Sequence, residues 1–83
     1  MVIQSAIKKI KKGLDISIEK TDYGVYYGEY KNYIISFMNN GGQDNVTCIS
    51  TRKKNDLPDS QSDYYPQCWH NNITQAIKFL LRK

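Results

Sequence analysis

The apolar residues of this chain repeat every three to four positions at its two ends and every second position between them. That change of period limits the fold more than any other feature. Ile3, Ala6, Ile7, Ile10 and Leu14 fall on one stripe of a helical wheel, and so do Ile73, Ala76, Ile77, Leu80 and Leu81. A helix with a single apolar stripe must bury it against another element. The alternating middle of the chain supplies that element, a sheet with one wet face. Both helices are therefore expected on the same sheet face. The fold class is α+β, with an antiparallel sheet of three to four strands in the order α-β-β-β-β-α, or α-β-β-β-α if the first two strands are one bent ribbon.

Local chemistry sets the boundaries. The spacing predicts the first helix over about 3–12, with Gly13 as its stop, because glycine takes positive φ just past a last turn. Leu14, Ile16 and Ile18 alternate with Asp15, Ser17 and Glu19, which predicts a strand. Thr21-Asp22-Tyr23-Gly24 reads as a turn and residues 24–30, GVYYGEY, as the next strand. Lys31-Asn32 is a two-residue turn. Residues 33–38, YIISFM, are the most apolar run and the expected central strand. NNGGQD at 39–44 is a turn of residues that tolerate positive φ. Residues 45–51, NVTCIST, are the expected last strand, and the charges at 52–54 mark it as a sheet edge. Asn72 is expected to cap a helix over about 73–82, its side chain accepting from the third amide while Gln75 reaches back to the cap's own amide.

Eighty-three residues make one domain, 1–83. A chain so short has a modest core, and self-association adds buried area. A two-fold homodimer through a sheet edge or a tyrosine-bearing face is expected. The net charge of +4 favours partners with phosphate or acidic surface and argues against an acidic DNA mimic. Cys48 and Cys68 are too few for a disulfide framework. The N-terminal residues lack the continuous apolar core of a signal peptide, and no run is long enough to cross a bilayer. These features predict a cytoplasmic protein with reduced thiols and no membrane partner.

The stretch 56-DLPDSQSDYYPQCWHNN-72 gathers most of the residues that chemistry would use. Cys68 and His70 would share a face if they lay on a strand, and a thiolate needs such a base. No oxyanion-donor motif surrounds them. Cys48, Asp63, Cys68 and His70 are the only plausible zinc set, and their spacing matches no common structural zinc pattern. Asp56, Asp59 and Asp63 lack the alternating oxygen ligands and glycine of a calcium loop. The residues therefore point to packed cysteines, a hydrogen-bonded histidine, no catalytic residue, no metal and no cofactor. Trp69 and at least one of Tyr64 and Tyr65 are expected to be buried, pinning the loop.

Binding chemistry is better represented. Lys8, Lys9, Lys11 and Lys12 fill the polar side of the first helix. Such a face meets phosphates or an anionic surface, or is only the solvated end of a helix where cations are favoured. Seven tyrosines and one tryptophan are a high load for a small domain. Tyr26, Tyr30 and Tyr33 compete for room on one buried face, so some of these rings should be partly wet. Beside Lys31, Arg52, Lys53 and Lys54 they could stack bases, form hot spots of a protein interface, or lie along an open sheet with hydroxyls in water.

The run from Arg52-Lys53-Lys54 through Ser62-Asp63-Tyr64-Tyr65-Pro66 to Trp69-His70-Asn71-Asn72-Ile73-Thr74-Gln75-Ala76-Ile77 resembles small bacteriophage and mobile-element domains grouped as large polyvalent protein-associated domains. The resemblance covers roughly residues 30–80. It implies a phage or mobile-element origin more than an activity, and it makes residues 56–72 a strap whose rings close the gap between sheet edge and second helix. The function expected is that of a non-enzymatic phage-type accessory protein that binds a host or phage protein, or a nucleoprotein complex, in an infected cell. Counter-defence inhibition of the anti-CRISPR kind is one such activity. The alternative is a nucleic-acid backbone binder using the lysine helix with Arg52, Lys53 and Lys54. The element order also resembles the double-stranded RNA-binding domain, but that family's lysine cluster at the start of the last helix is replaced here by NNITQAIK.

Overall fold

A computed structural model describes residues 2–39, 45–53 and 67–83. It has the two terminal helices and antiparallel sheet of an α+β fold, with five strands in place of three or four. The elements are α1 (Ile3–Leu14), β1 (Glu19–Lys20), β2 (Val25–Tyr30), β3 (Tyr33–Asn39), β4 (Val46–Lys53), β5 (Gln67–His70) and α2 (Ile73–Leu81). The strands lie side by side in chain order, each antiparallel to the next. β3 is central, as its apolar content requires.

Ile3, Ala6, Ile10 and Leu14 of α1 and Ile73, Ala76, Ile77 and Leu80 of α2 form one buried cluster with Ile35, Phe37 and Ile49 of the sheet. Side chains alternate along a strand, so Ile35 and Phe37 define the helix-covered face. The two stripes read from the sequence thus meet one sheet face. Tyr26, Tyr30 and Tyr33 all pack against this core at half burial. Tyr26 stacks on Phe37 with ring centroids 5.4 Å apart.

α1 does not stop at Gly13. It runs to Leu14, and Asp15 takes the left-handed conformation, φ 56°, with its amide bonded to the Lys11 carbonyl at 2.9 Å. Gly13 serves a different need. A Cβ placed there would stand 3.1 Å from Cγ2 of Ile77, so the missing side chain lets α1 approach α2 closely.

Of the strand expected over 14–19, all but Glu19 lies outside the sheet. Only Glu19 and Lys20 pair with β2. The preceding residues cross over the helix-side surface of β2 at Gly28, where a Cβ would meet the Ser17 carbonyl oxygen at 2.9 Å and the Cδ1 atoms of Ile18 and Ile16 at 2.8 and 3.1 Å. Ile16 and Ile18 pack on the core while Ser17 is exposed. The alternation was real, but it reports one buried side, and a segment lying on top of a sheet has that as much as one lying within it.

The turns at 21–24 and 31–32 are as expected. Thr21 Oγ1 accepts from the amides of Tyr23 and Val25, and Gly24 takes φ 82°. Lys31 takes φ 55° between the paired Tyr30 and Tyr33. Most of the predicted turn at 39–44, residues 40–44, lies outside the described residues. In the β3–β4 ladder, the pairs Ser36–Ser50 and Met38–Thr47 differ by two residues on one strand and three on the other, which is a bulge. Cys48 occupies it at φ 53°.

β4 is neither last nor an edge. β5 pairs with it from Arg52–Gln67 to Ile49–His70. This strand also overturns the expected burial of Trp69. Cys68 and His70 face the helices, so Trp69 between them must face the other way, and it is 66 % exposed. Cys48 and Cys68, expected to be packed, are both exposed. Tyr64 and Tyr65 lie outside the described residues. Asn72 caps α2 as predicted, accepting from the Gln75 amide at 2.9 Å. The Gln75 side chain reaches one residue further than expected, accepting from the Asn71 amide at 3.2 Å.

Candidate binding surfaces

The sheet and helix layers divide the described surface into two chemically different faces. On the helix-free face one row crosses all five strands: Glu19, Tyr27, Ser36, Ser50 and Trp69 are successive cross-strand partners. A second row holds Glu29, Ile34 and Arg52, and a third Val25, Met38 and Thr47. The Tyr27 hydroxyl donates to Glu19 Oε2 at 2.9 Å. That bond, with the nearby carboxylate charge, pushes the phenol above its usual pKa. Ser50 is buried and its hydroxyl lies 3.0 Å from that of Ser36. Between these strands a shallow groove of about 440 Å³ is lined by Thr21, Val25, Tyr27, Ile34, Ser36 and Arg52. Trp69 and Met38 stand exposed on the same face, and Tyr23 is exposed at the β1–β2 turn.

The helix layer is different in charge. Residues 3–14 and 67–83 contain seven of the chain's twelve cationic residues and none of its eight acids. The remaining residues carry five cations against eight acids. Lys8, Lys9, Lys11 and Lys12 are all exposed on α1, and Lys78, Arg82 and Lys83 on or just beyond α2. Lys83 lies over the rings of Phe79 and Tyr33 at 4.7 and 5.7 Å.

Of the second basic cluster read from the sequence, Arg52 and Lys53 alternate between the two faces of β4. Arg52 projects from the helix-free face, opposite Ile34, while the lysines of α1 belong to the helix layer. Lys53 is exposed at the end of β4, where it lines a groove of about 260 Å³ with Tyr33, Thr51, Arg52, Cys68, Phe79 and Lys83. Lys54 lies outside the described residues. Tyr26 and Tyr30 are on the helix side of β2, with Lys20 and Lys31 over their rings at 5.8 and 5.3 Å. Among the described residues, the aromatics of the helix-free face are instead Tyr27, which is half-buried, and Trp69, with Tyr23 exposed at the β1–β2 turn. Strand alternation around the buried Gly28 and Ile35 was the signal for Tyr27; for Trp69 it was the spacing of Cys68 and His70.

Cys68 and His70 share the helix-side face of β5. The His70 Nε2 atom pairs with Thr51 Oγ1 at 2.9 Å, and its ring lies against Phe79 with centroids 5.2 Å apart. Burial lowers its pKa from the ordinary value. Among the described residues no three His, Cys, Asp or Glu side chains converge as metal ligands, and Asp56, Asp59 and Asp63 lie outside them. Among the described residues no helix is long and apolar enough to cross a membrane. No protein-family model, curated protein or solved structure matches the chain.

Proposed function

We propose that this protein acts by binding a protein partner through the helix-free face of its sheet, without catalysing a reaction. One observation carries the reading: Trp69 is two-thirds exposed on a face that also presents Tyr27 and Arg52. Tryptophan, tyrosine and arginine are the residue types that dominate binding energy at protein interfaces. An indole left in water on a rigid strand buries a large area on contact and loses little freedom in doing so. Among the described residues the charges there, Glu19 and Glu29 against Arg52, give no cationic excess for a phosphate backbone. A folded protein surface fits better than a nucleic acid.

The resemblance to phage-encoded domains suggests the setting. The partner is then a host or phage protein, alone or within a nucleoprotein complex, met in the cytoplasm of an infected cell. Counter-defence inhibition is a natural use for so small a binder. The test is capture from a bacterial lysate treated with nuclease, comparing the natural chain with Trp69→Ala and Arg52→Ala. Each variant is expected to weaken capture by at least about 2 kcal/mol, roughly thirtyfold, at unchanged circular dichroism. Capture that vanishes with nuclease, or that both variants retain, refutes the reading.

A further inference from the structure

We infer that the groove between α1 and α2 is a separate docking site, and that its occupant is an acidic amphipathic helix of a protein. The inference does not rest on the helix-free face. The groove is open, of about 430 Å³, and is lined by Gly13, Ile77 and Leu81 together with Lys9, Lys12, Thr74 and Lys78. Leu81 is 53 % exposed although it continues the apolar stripe of α2. Ile77, 7 % exposed, forms the floor of the groove beneath Gly13, whose missing side chain leaves that floor thinly covered.

Among the described residues, three lysines and no carboxylate line this apolar groove. Lys9 and Lys12 are three apart on α1, and Lys78 and Leu81 three apart on α2, so each pair lies on one side of its helix. The complement is a segment with apolar side chains at i, i+3 or i+4 and carboxylates beside them, which is the helix-in-groove mode of recognition. A nucleic-acid backbone would use the lysines but has no group for Leu81 and Ile77. A bilayer needs apolar side chains that project from a surface, as on an interfacial amphipathic helix. Here part of the apolar surface is recessed between two helices, and a partner helix reaches it better than a flat surface does.

The probe is a library of displayed helical peptides of about four turns. Leucine is fixed at i, i+4 and i+7, and acidic, basic and neutral residues are allowed between. Selection on the full chain is expected to enrich Asp and Glu. Affinity should fall at least about tenfold in Lys9→Gln/Lys12→Gln/Lys78→Gln and again in Leu81→Ser, and should weaken with salt. Trp69→Ala should leave it unchanged, which separates this site from the sheet face. A short DNA duplex and vesicles of phosphatidylcholine with phosphatidylserine are run in parallel. The inference fails if no peptide is selected, if selected peptides lack acids, or if they bind both groove variants as well as the natural chain. It fails equally if the duplex or the vesicles bind through these lysines more tightly than the peptides.

Discussion

The carbonyl oxygen of Ser17 lies 2.9 Å from the point where a Cβ on Gly28 would stand. The obstacle is backbone, so it cannot rotate away, and Ile18 and Ile16 close the same space at 2.8 and 3.1 Å. Gly28→Ala must therefore lift the 15–18 segment off β2 and loosen two half-buried isoleucines. The expected cost is roughly 1–3 kcal/mol, the range for overpacking a filled site. Urea denaturation measures it. A variant as stable as the natural chain would mean that the crossing segment is not held against the sheet.

How much of this was legible in the sequence depends on what each pattern reports. Periodicity reports burial, and it located both helices, the core stripes and the central β3 strand. It does not report hydrogen bonding, so Ile16 and Ile18 read as a strand although their segment lies over Gly28. β5 was missed because four residues beginning just after Pro66 are too short for a period to be seen. That omission carried the misreading of Trp69, since only strand alternation turns the indole away from the helices. The lysines of α1 were legible as exposed. Their separation from Arg52 was not, because it follows from the β3–β4 register.

Cys48 and Asp15 both hold positive φ, 53° and 56°, where a Cβ crowds the backbone by about 1–2 kcal/mol. Both side chains are exposed. Replacing either with glycine relieves that strain, while the unfolded chain gains freedom that opposes it. Cys48→Gly and Asp15→Gly should each leave stability unchanged or raise it by up to about 1 kcal/mol. Cys48→Val should lower it, because a β-branched residue in the bulge is a worse outlier. Thermal melts of the three variants at one pH decide the matter.

His70 makes stability depend on pH in a known direction. Burial lowers its pKa in the folded chain below the ordinary 6.5. The unfolded chain therefore takes up the proton first as the pH falls. The contribution of His70 is complete above about 6.5 and is lost as the pH drops from there through the folded value. His70→Gln should flatten the stability profile in that window. His70 is the only histidine, so its proton resonance can be titrated directly. A midpoint at or above 6.5 would contradict the burial described.

Trp69 and Phe37 offer the sharpest contrast between a binding residue and a packing one. Phe37 is fully buried in the central strand, stacked on Tyr26 and surrounded by the helix stripes. Its replacement by alanine removes a ring from a filled space and should cost about 3–5 kcal/mol, which is a large part of the stability of so small a chain. Trp69 is the larger side chain, yet two-thirds of it already meets water. The apolar area that Trp69→Ala removes from burial is correspondingly small, and the loss should stay within about 1 kcal/mol. Denaturant midpoints of the two variants, measured beside their capture of partner, separate the roles. Phe37→Ala should lose folding and binding together, whereas Trp69→Ala should lose binding alone. If Trp69→Ala instead unfolds the protein as Phe37→Ala does, the indole belongs to the packed interior and the helix-free face is not the contact surface.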